Sequence, residues 1–107
     1  MYVRTIKGKI FDCFESEQMG KPIFYPKKSK TNGYIDYTEV YKKSNNIIDI
    51  CEVGDYVNGS YVEGFIEKNK FQNKLIITEA GMIDNNDIKS IVTKEQFKEM
   101  EYRLWNG

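Results

Sequence analysis

In the stretch Ile47–Gly59, IIDICEVGDYVNG, Cys51, Glu52 and Asp55 stand close together and have types that do chemistry. A cysteine can serve as a nucleophile, and two carboxylates can divide general acid and base roles. The thiol reacts as its thiolate, however, and a neighbouring base, usually histidine, is what makes thiolate available. The chain contains no histidine, which removes the commonest general base and the commonest metal ligand together. Glu52 and Asp55 stand three apart, so on a strand they would project to opposite faces, and Gly54 turns the chain between them. The same letters also read as framework. Gly54 can take a backbone conformation denied to other residues, and Asp55 can cap that turn through its own carboxylate. Tyr56-Val57 then begins a strand that Asn58-Gly59 ends. Framework accounts for more of the stretch than a site does; an enzyme working through Glu52 and Asp55 is the lesser alternative.

The remaining reactive groups are sparse. Cys13 and Cys51 lie in apolar surroundings and read as small buried hydrophobes, reduced in a cytosolic compartment. Two cysteines without histidine leave a structural zinc site short of ligands. The acidic groups cluster at Glu63/Glu67, Asp84/Asp87 and Glu95/Glu99/Glu101. The DNND segment lacks the glycine and final glutamate of a calcium loop. Glu95 and Glu99, one helical turn apart, read as a solvated helix face. No glycine-rich phosphate loop, dinucleotide fingerprint or nucleophile elbow occurs. No metal and no cofactor are expected.

The strongest candidate for binding is a patch within residues 21–43. Lys21, Lys27, Lys28, Lys30, Lys42 and Lys43 are interleaved there with Tyr25, Tyr34, Tyr37 and Tyr41. Such lysines could neutralise phosphates while the tyrosine rings stack on bases. The segment has no arginine, the residue suited to bidentate phosphate contact. Lysines on an edge hairpin also serve simply to discourage strand-to-strand aggregation. A third use is a protein-binding face, because tyrosine joins a large apolar ring to a polar tip. The chain has eight tyrosines, more than a small core is expected to hold.

These residues must be positioned by a mostly β scaffold. Tyr2–Phe14 reads as a strand with an irregularity at Lys7-Gly8-Lys9, where a bulge would fit. Glu15–Pro22 reads as a polar loop, and Ile23–Tyr25 as a short strand stopped by Pro26. Lys27–Gly33 forms a turn with a hairpin signal at Asn32-Gly33, and Tyr34–Tyr41 returns. A polar joint at Lys42–Asn46 separates an N-terminal part, residues 1–45, from a barrel-like core, residues 46–107. In that core Ile47–Val53, Tyr56-Val57, Tyr61–Glu67, Lys74–Glu79 and Ile88–Val92 read as short strands. Thr93–Met100 reads as a helix whose capping box is Thr93 with Gln96. Phe97 and Met100 would face the core, and Glu101–Trp105 would close it as a strand. The expected class is mainly β (small α+β): a small SH3-like β-barrel with an N-terminal β-hairpin extension and one short C-terminal helix.

A chain of 107 residues with a 40% apolar fraction is one domain that can bury roughly two-thirds of its unfolded surface without a disulfide. No apolar run reaches the ~20 residues of a membrane span, and the first residues lack a signal-peptide layout. A cytoplasmic protein is the simplest expectation. Lysine exceeds arginine fourteen to two and alanine occurs once, a bias that follows an AT-rich genome. The formal net charge is zero, yet residues 1–45 carry nine basic against five acidic groups and the rest seven against eleven. Such polarity can orient a molecule against a charged partner.

Two segments, EVGDYVNG at Glu52–Gly59 and IKSIVTKEQF at Ile88–Phe97, together resemble small phage and prophage proteins of clostridia-like bacteria. The resemblance covers roughly residues 46–104 and implies no catalytic residues. It implies an accessory phage protein acting in the bacterial cytoplasm, and such proteins often bind a host protein. Inhibitors of host defence, including anti-CRISPR-type proteins, are one such group. Non-enzymatic binding of a host protein is thus the leading expectation, with nucleic-acid binding through the Lys/Tyr patch as the alternative.

Overall fold

A computed structural model describes residues 1–28 and 33–105, with side chains as far as Met100. The chain is mainly β, with two antiparallel five-stranded sheets and one helix. It divides into two compact units, Met1–Ile50 and Cys51–Gly107, each holding one sheet.

In the first unit the strands are β1 (Tyr2–Thr5), β2 (Ile10–Gln18), β3 (Lys21–Pro26), β4 (Ile35–Asp36) and β5 (Val40–Ser44), in sheet order β4-β3-β2-β1-β5. The irregularity expected at Lys7-Gly8-Lys9 is a full chain reversal. Gly8 takes φ +85°, and Thr5 N–H to Lys9 O (2.8 Å) with Gly8 N–H to Thr5 O (2.9 Å) closes the turn. The polar loop expected at Glu15–Pro22 is likewise replaced by strand. Gln18 pairs with Lys21, leaving a two-residue turn of Met19 (φ +54°) and Gly20 (φ +79°), the geometry that matches strand twist. Phe14 to Gln18 are exposed throughout, so no apolar alternation marked them as strand. The expected returning strand Tyr34–Tyr41 is interrupted by a 3-10 turn at Tyr37–Glu39, after which β5 crosses to pair with β1. Lys42, Lys43 and Ser44, read as a joint, are therefore sheet residues.

One sheet face of this unit carries the core. Val3 pairs opposite Phe11 and Phe24 opposite Ile35, which brings Val3, Cys13, Phe24 and Ile35 together with Met1, Phe11 and Val40 packed around them. The alternate position on β1, Arg4, points the other way yet is fully buried. Its Nη1 donates to Ile50 O at 2.9 Å, supplying part of the hydrogen bonding that a buried charge requires. Ile50 closes a 3-10 turn, Ile47–Ile50, where a strand was expected. Polar neighbours decide this: Asp49 N–H bonds to Asn46 O and Ser44 Oγ donates to Asp49 Oδ2 at 2.8 Å.

The second unit contains β6 (Tyr56–Val57), β7 (Ser60–Ile66), β8 (Leu75–Thr78), β9 (Gly81–Asp84), β10 (Ile91–Val92) and helix α1 (Lys94–Trp105). Its sheet order is β10-β6-β7-β8-β9, so the last strand returns to the first while β9 and β10 stay at opposite edges. Among the described residues neither sheet closes on itself. Val57, Val62, Ile76 and Thr78 are buried here. The capping box forms as expected, with Gln96 N–H on Thr93 Oγ1 (3.3 Å) and Thr93 N–H on Gln96 Oε1 (3.1 Å). Glu101–Trp105 continues the helix instead of forming a closing strand, since no glycine or proline interrupts its helix-forming sequence. Phe97 and Met100 are exposed, so the expected core-facing stripe is not buried, although Phe97 stacks on Tyr56.

Candidate functional site

The chemically capable residues of Ile47–Gly59 are committed to the fold. Asp55 is fully buried, and its two carboxylate oxygens accept different backbone donors. Oδ2 takes Glu52 N–H at 2.8 Å, closing the turn in which Gly54 sits at φ +98°. Oδ1 takes Lys94 N–H at 2.9 Å, in the first turn of α1. A carboxylate at a helix N-terminus meets unpaired N–H groups and the positive end of the helix dipole. Above this bond Lys94 Nζ lies 2.7 Å from Glu52 Oε1.

Asn58 does the same work for the next segment. It holds φ +52° in the β6–β7 turn. Its Oδ1 accepts from Lys89 N–H (2.8 Å) and Ser90 N–H (3.1 Å), and its Nδ2 donates to Asp87 O (2.8 Å). The ladder β10–β6, with Ile91 opposite Val57, and the Tyr56–Phe97 stack at 4.8 Å complete the joint. The EVGDYVNG and IKSIVTKEQF segments are thus two halves of one interlocked structure. Sequence reading found the Asp55 turn cap but not its second bond, because Lys94 lies 39 positions away.

Cys13 and Cys51 are buried free thiols. Burial pushes the Cys13 thiol above its ordinary range; the N-terminal ammonium opposes this in part, Asp12 adds a smaller rise and Lys27 a still smaller lowering. Neither cysteine is placed as a nucleophile.

The Lys/Tyr set is split by the sheet order. Tyr25 (β3) and Tyr34, just before β4, come together with ring centroids 6.1 Å apart. Phe14, directly opposite Tyr25 on β2, shares their face. Phe14 is 62% exposed, Tyr25 41% and Tyr34 54%, giving three open rings, two on paired strands and one just before β4. Lys27 Nζ lies 5.0 Å from the centre of the Phe14 ring and 3.4 Å from Asp12 Oδ1. Slight burial raises the Asp12 carboxyl, but the hydrogen bonds and charges of the N-terminal ammonium and Lys27 outweigh it and hold it below the usual value. Tyr37, in the 3-10 turn, receives Lys21 at 5.1 Å.

Tyr41, Lys42 and Lys43 belong to β5, at the edge opposite β4. Lys42 lies over Tyr41 at 5.7 Å. Lys43 spans the core face, 5.4 Å from Phe24 and 3.1 Å from Glu15. Lys28 is exposed, and Lys30 lies outside the described residues. Phe14 is the residue missed in the sequence; the alternation Phe11, Cys13 inward places it outward.

In the second unit Phe71, in the β7–β8 loop, is 95% accessible, and Tyr61 and Phe97 are exposed as well. Asn69 Oδ1 holds that loop by accepting Phe71 and Gln72 N–H groups. Among the described residues no three His, Cys, Asp or Glu side chains converge as a metal site, and no helix is long and apolar enough to cross a membrane. No family model, no curated protein and no solved structure matches the chain.

Proposed function

We propose that this chain is a non-enzymatic, phage-encoded binding protein that engages a host protein through the aromatic face of its first unit. The observation carrying this reading is the group of exposed rings formed by Phe14 and Tyr25 on paired strands and Tyr34 at the start of the neighbouring one. Aromatic anchors on a rigid sheet lose little side-chain freedom on binding and supply large apolar contact. The phage resemblance directs the search to host proteins, with inhibition of a host defence system, in the manner of anti-CRISPR proteins, as the first activity to assay. Within the same proposal the second unit is an SH3-like sheet left open. A strand, a 3-10 turn at Asn85–Asp87 and a strand returning to the first support that comparison.

Nucleic-acid binding is the second reading, and the charges favour it less. Lys27 faces Asp12 and Lys43 faces Glu15, so these ammonium groups already have carboxylate partners. The deciding experiment is affinity capture from host lysate with the wild-type chain and with Phe14→Ser/Tyr25→Ser, whose sites are solvent-exposed. A host protein retained by the first, lost by the second and unaffected by nuclease supports the proposal. Retention by both, or loss on nuclease treatment, overturns it.

A further inference from the structure

The Lys7-Gly8-Lys9 reversal plays no part in the aromatic face, yet it forms the rim of a cleft in the same unit. The cleft has a volume of about 610 Å³, and Thr5, Lys7, Lys9, Phe11, Ile35 and Glu39 contribute to its lining. Phe11 and Ile35 bring it an apolar surface, half-buried and buried respectively. One wall is the β1–β2 turn, held by Thr5 N–H to Lys9 O and by Lys9 N–H to Thr5 Oγ1 (3.1 Å). The other is the 3-10 turn Tyr37–Glu39, tied to the first by Ile6 N–H to Glu39 O at 3.0 Å. Both walls are therefore fixed by backbone bonds, which makes the opening preformed.

The charge at this rim differs from that on the aromatic face. Among the described residues the ammonium groups of Lys7 and Lys9 enter no ion pair. Two cations beside an apolar surface match a ligand with an apolar body and an anionic head, the pattern of small-molecule sites in which few polar groups set orientation. Glu39 adds one carboxylate, which repels a second negative charge nearby and can accept from a ligand hydroxyl or amine.

We propose that this cleft binds a small organic anion. Its aromatic or aliphatic body lies on Phe11 and Ile35, and its phosphate or carboxylate is held by Lys7 and Lys9. The reading is independent of the partner face, since it uses none of Phe14, Tyr25 or Tyr34.

Amide chemical-shift titration of the full chain tests it, with adenosine 5′-monophosphate and indole-3-acetate as the phosphate and carboxylate probes. Adenosine, indole and inorganic phosphate serve as controls. At least one anionic probe is expected to shift the amides of Thr5–Phe11 and of Ile35–Glu39, with a Kd of roughly 1 mM or tighter. Its uncharged counterpart and inorganic phosphate should each bind more weakly. Lys7→Gln/Lys9→Gln should weaken the anion about fivefold or more, as expected for two partly exposed ion pairs. Glu39→Gln should tighten it by about twofold. These substitutions are at exposed positions and leave the fold intact, which the unperturbed remainder of the spectrum verifies. The proposal is overturned if neither probe shifts these residues, if the shifts map elsewhere, or if the lysine variant binds as well as wild type.

Discussion

At the residue scale, Asp55 and Asn58 show how a polar side chain can look catalytic and be architectural. Each satisfies backbone donors from two parts of the chain. Replacing Asp55 with alanine would leave the Glu52 and Lys94 N–H groups without their acceptor in a buried site. A loss of about 2–4 kcal/mol is expected in urea denaturation, and Asp55→Asn, which keeps one acceptor oxygen, should lose less. A variant unfolding at the wild-type midpoint would show that this carboxylate is dispensable. Asp12 gives the pH signature of the same unit. Its lowered pKa means that its stabilisation is fully present above the ordinary value of 3.8 and is lost as pH falls through the folded value. The stability gap between wild type and Asp12→Asn should accordingly be positive at neutral pH and close in acid. Cys13 and Cys51, at 1% and 2% exposure, should resist alkylation in the native protein and react fully in urea. Rapid native labelling would contradict their burial.

At the element scale, the short strands owe their positions to turns as much as to apolar pattern. Met19-Gly20 and Asn58-Gly59 both supply two positive-φ residues, and each fixes the register of its hairpin. Helix α1 depends similarly on its start. Thr93→Ala removes the Oγ1 acceptor of Gln96 N–H and should cost about 1 kcal/mol in thermal or urea unfolding. Gly54, at φ +98° beside the Lys94 side chain, tolerates no Cβ without strain, so Gly54→Ala should destabilise by more than a routine surface change.

At the scale of the whole molecule, a formal net charge of zero and a pI near 6.3 bear on partners. Non-specific nucleic-acid binding draws on unpaired positive charge and weakens steeply with salt. With Lys27 and Lys43 facing carboxylates, mobility-shift assays at low salt should show no strongly salt-dependent complex. A steep salt slope flattened by Lys27→Ala/Lys28→Ala would instead favour nucleic acid over a protein as the ligand proposed for the aromatic face.

Much of this was open to sequence reading because it is local. The β class, the Tyr56-Val57 strand, the Asn58-Gly59 turn and the Thr93/Gln96 capping box all follow from neighbours within a few positions. The Asn58-Gly59 signal acts for the physical reason expected of it, two positive-φ residues in a tight turn, whereas Asn32 of the expected Asn32-Gly33 hairpin signal lies outside the described residues. Two departures have local causes: Glu15–Gln18 is a strand with no buried face to impose alternation, and the apolar Ile47–Ile50 is turned by hydrogen bonds of Ser44, Asn46 and Asp49. Only the tertiary structure decided which distant residues meet. Strand pairing set Tyr41, Lys42 and Lys43 at the edge opposite Tyr25 and Tyr34, and brought Phe14 into their place. It likewise joined Asp55 to Lys94 and the Lys7-Gly8-Lys9 turn to Glu39. Composition and spacing determine which turns and strands can form, whereas long-range hydrogen-bond pairing determines which side chains share a face.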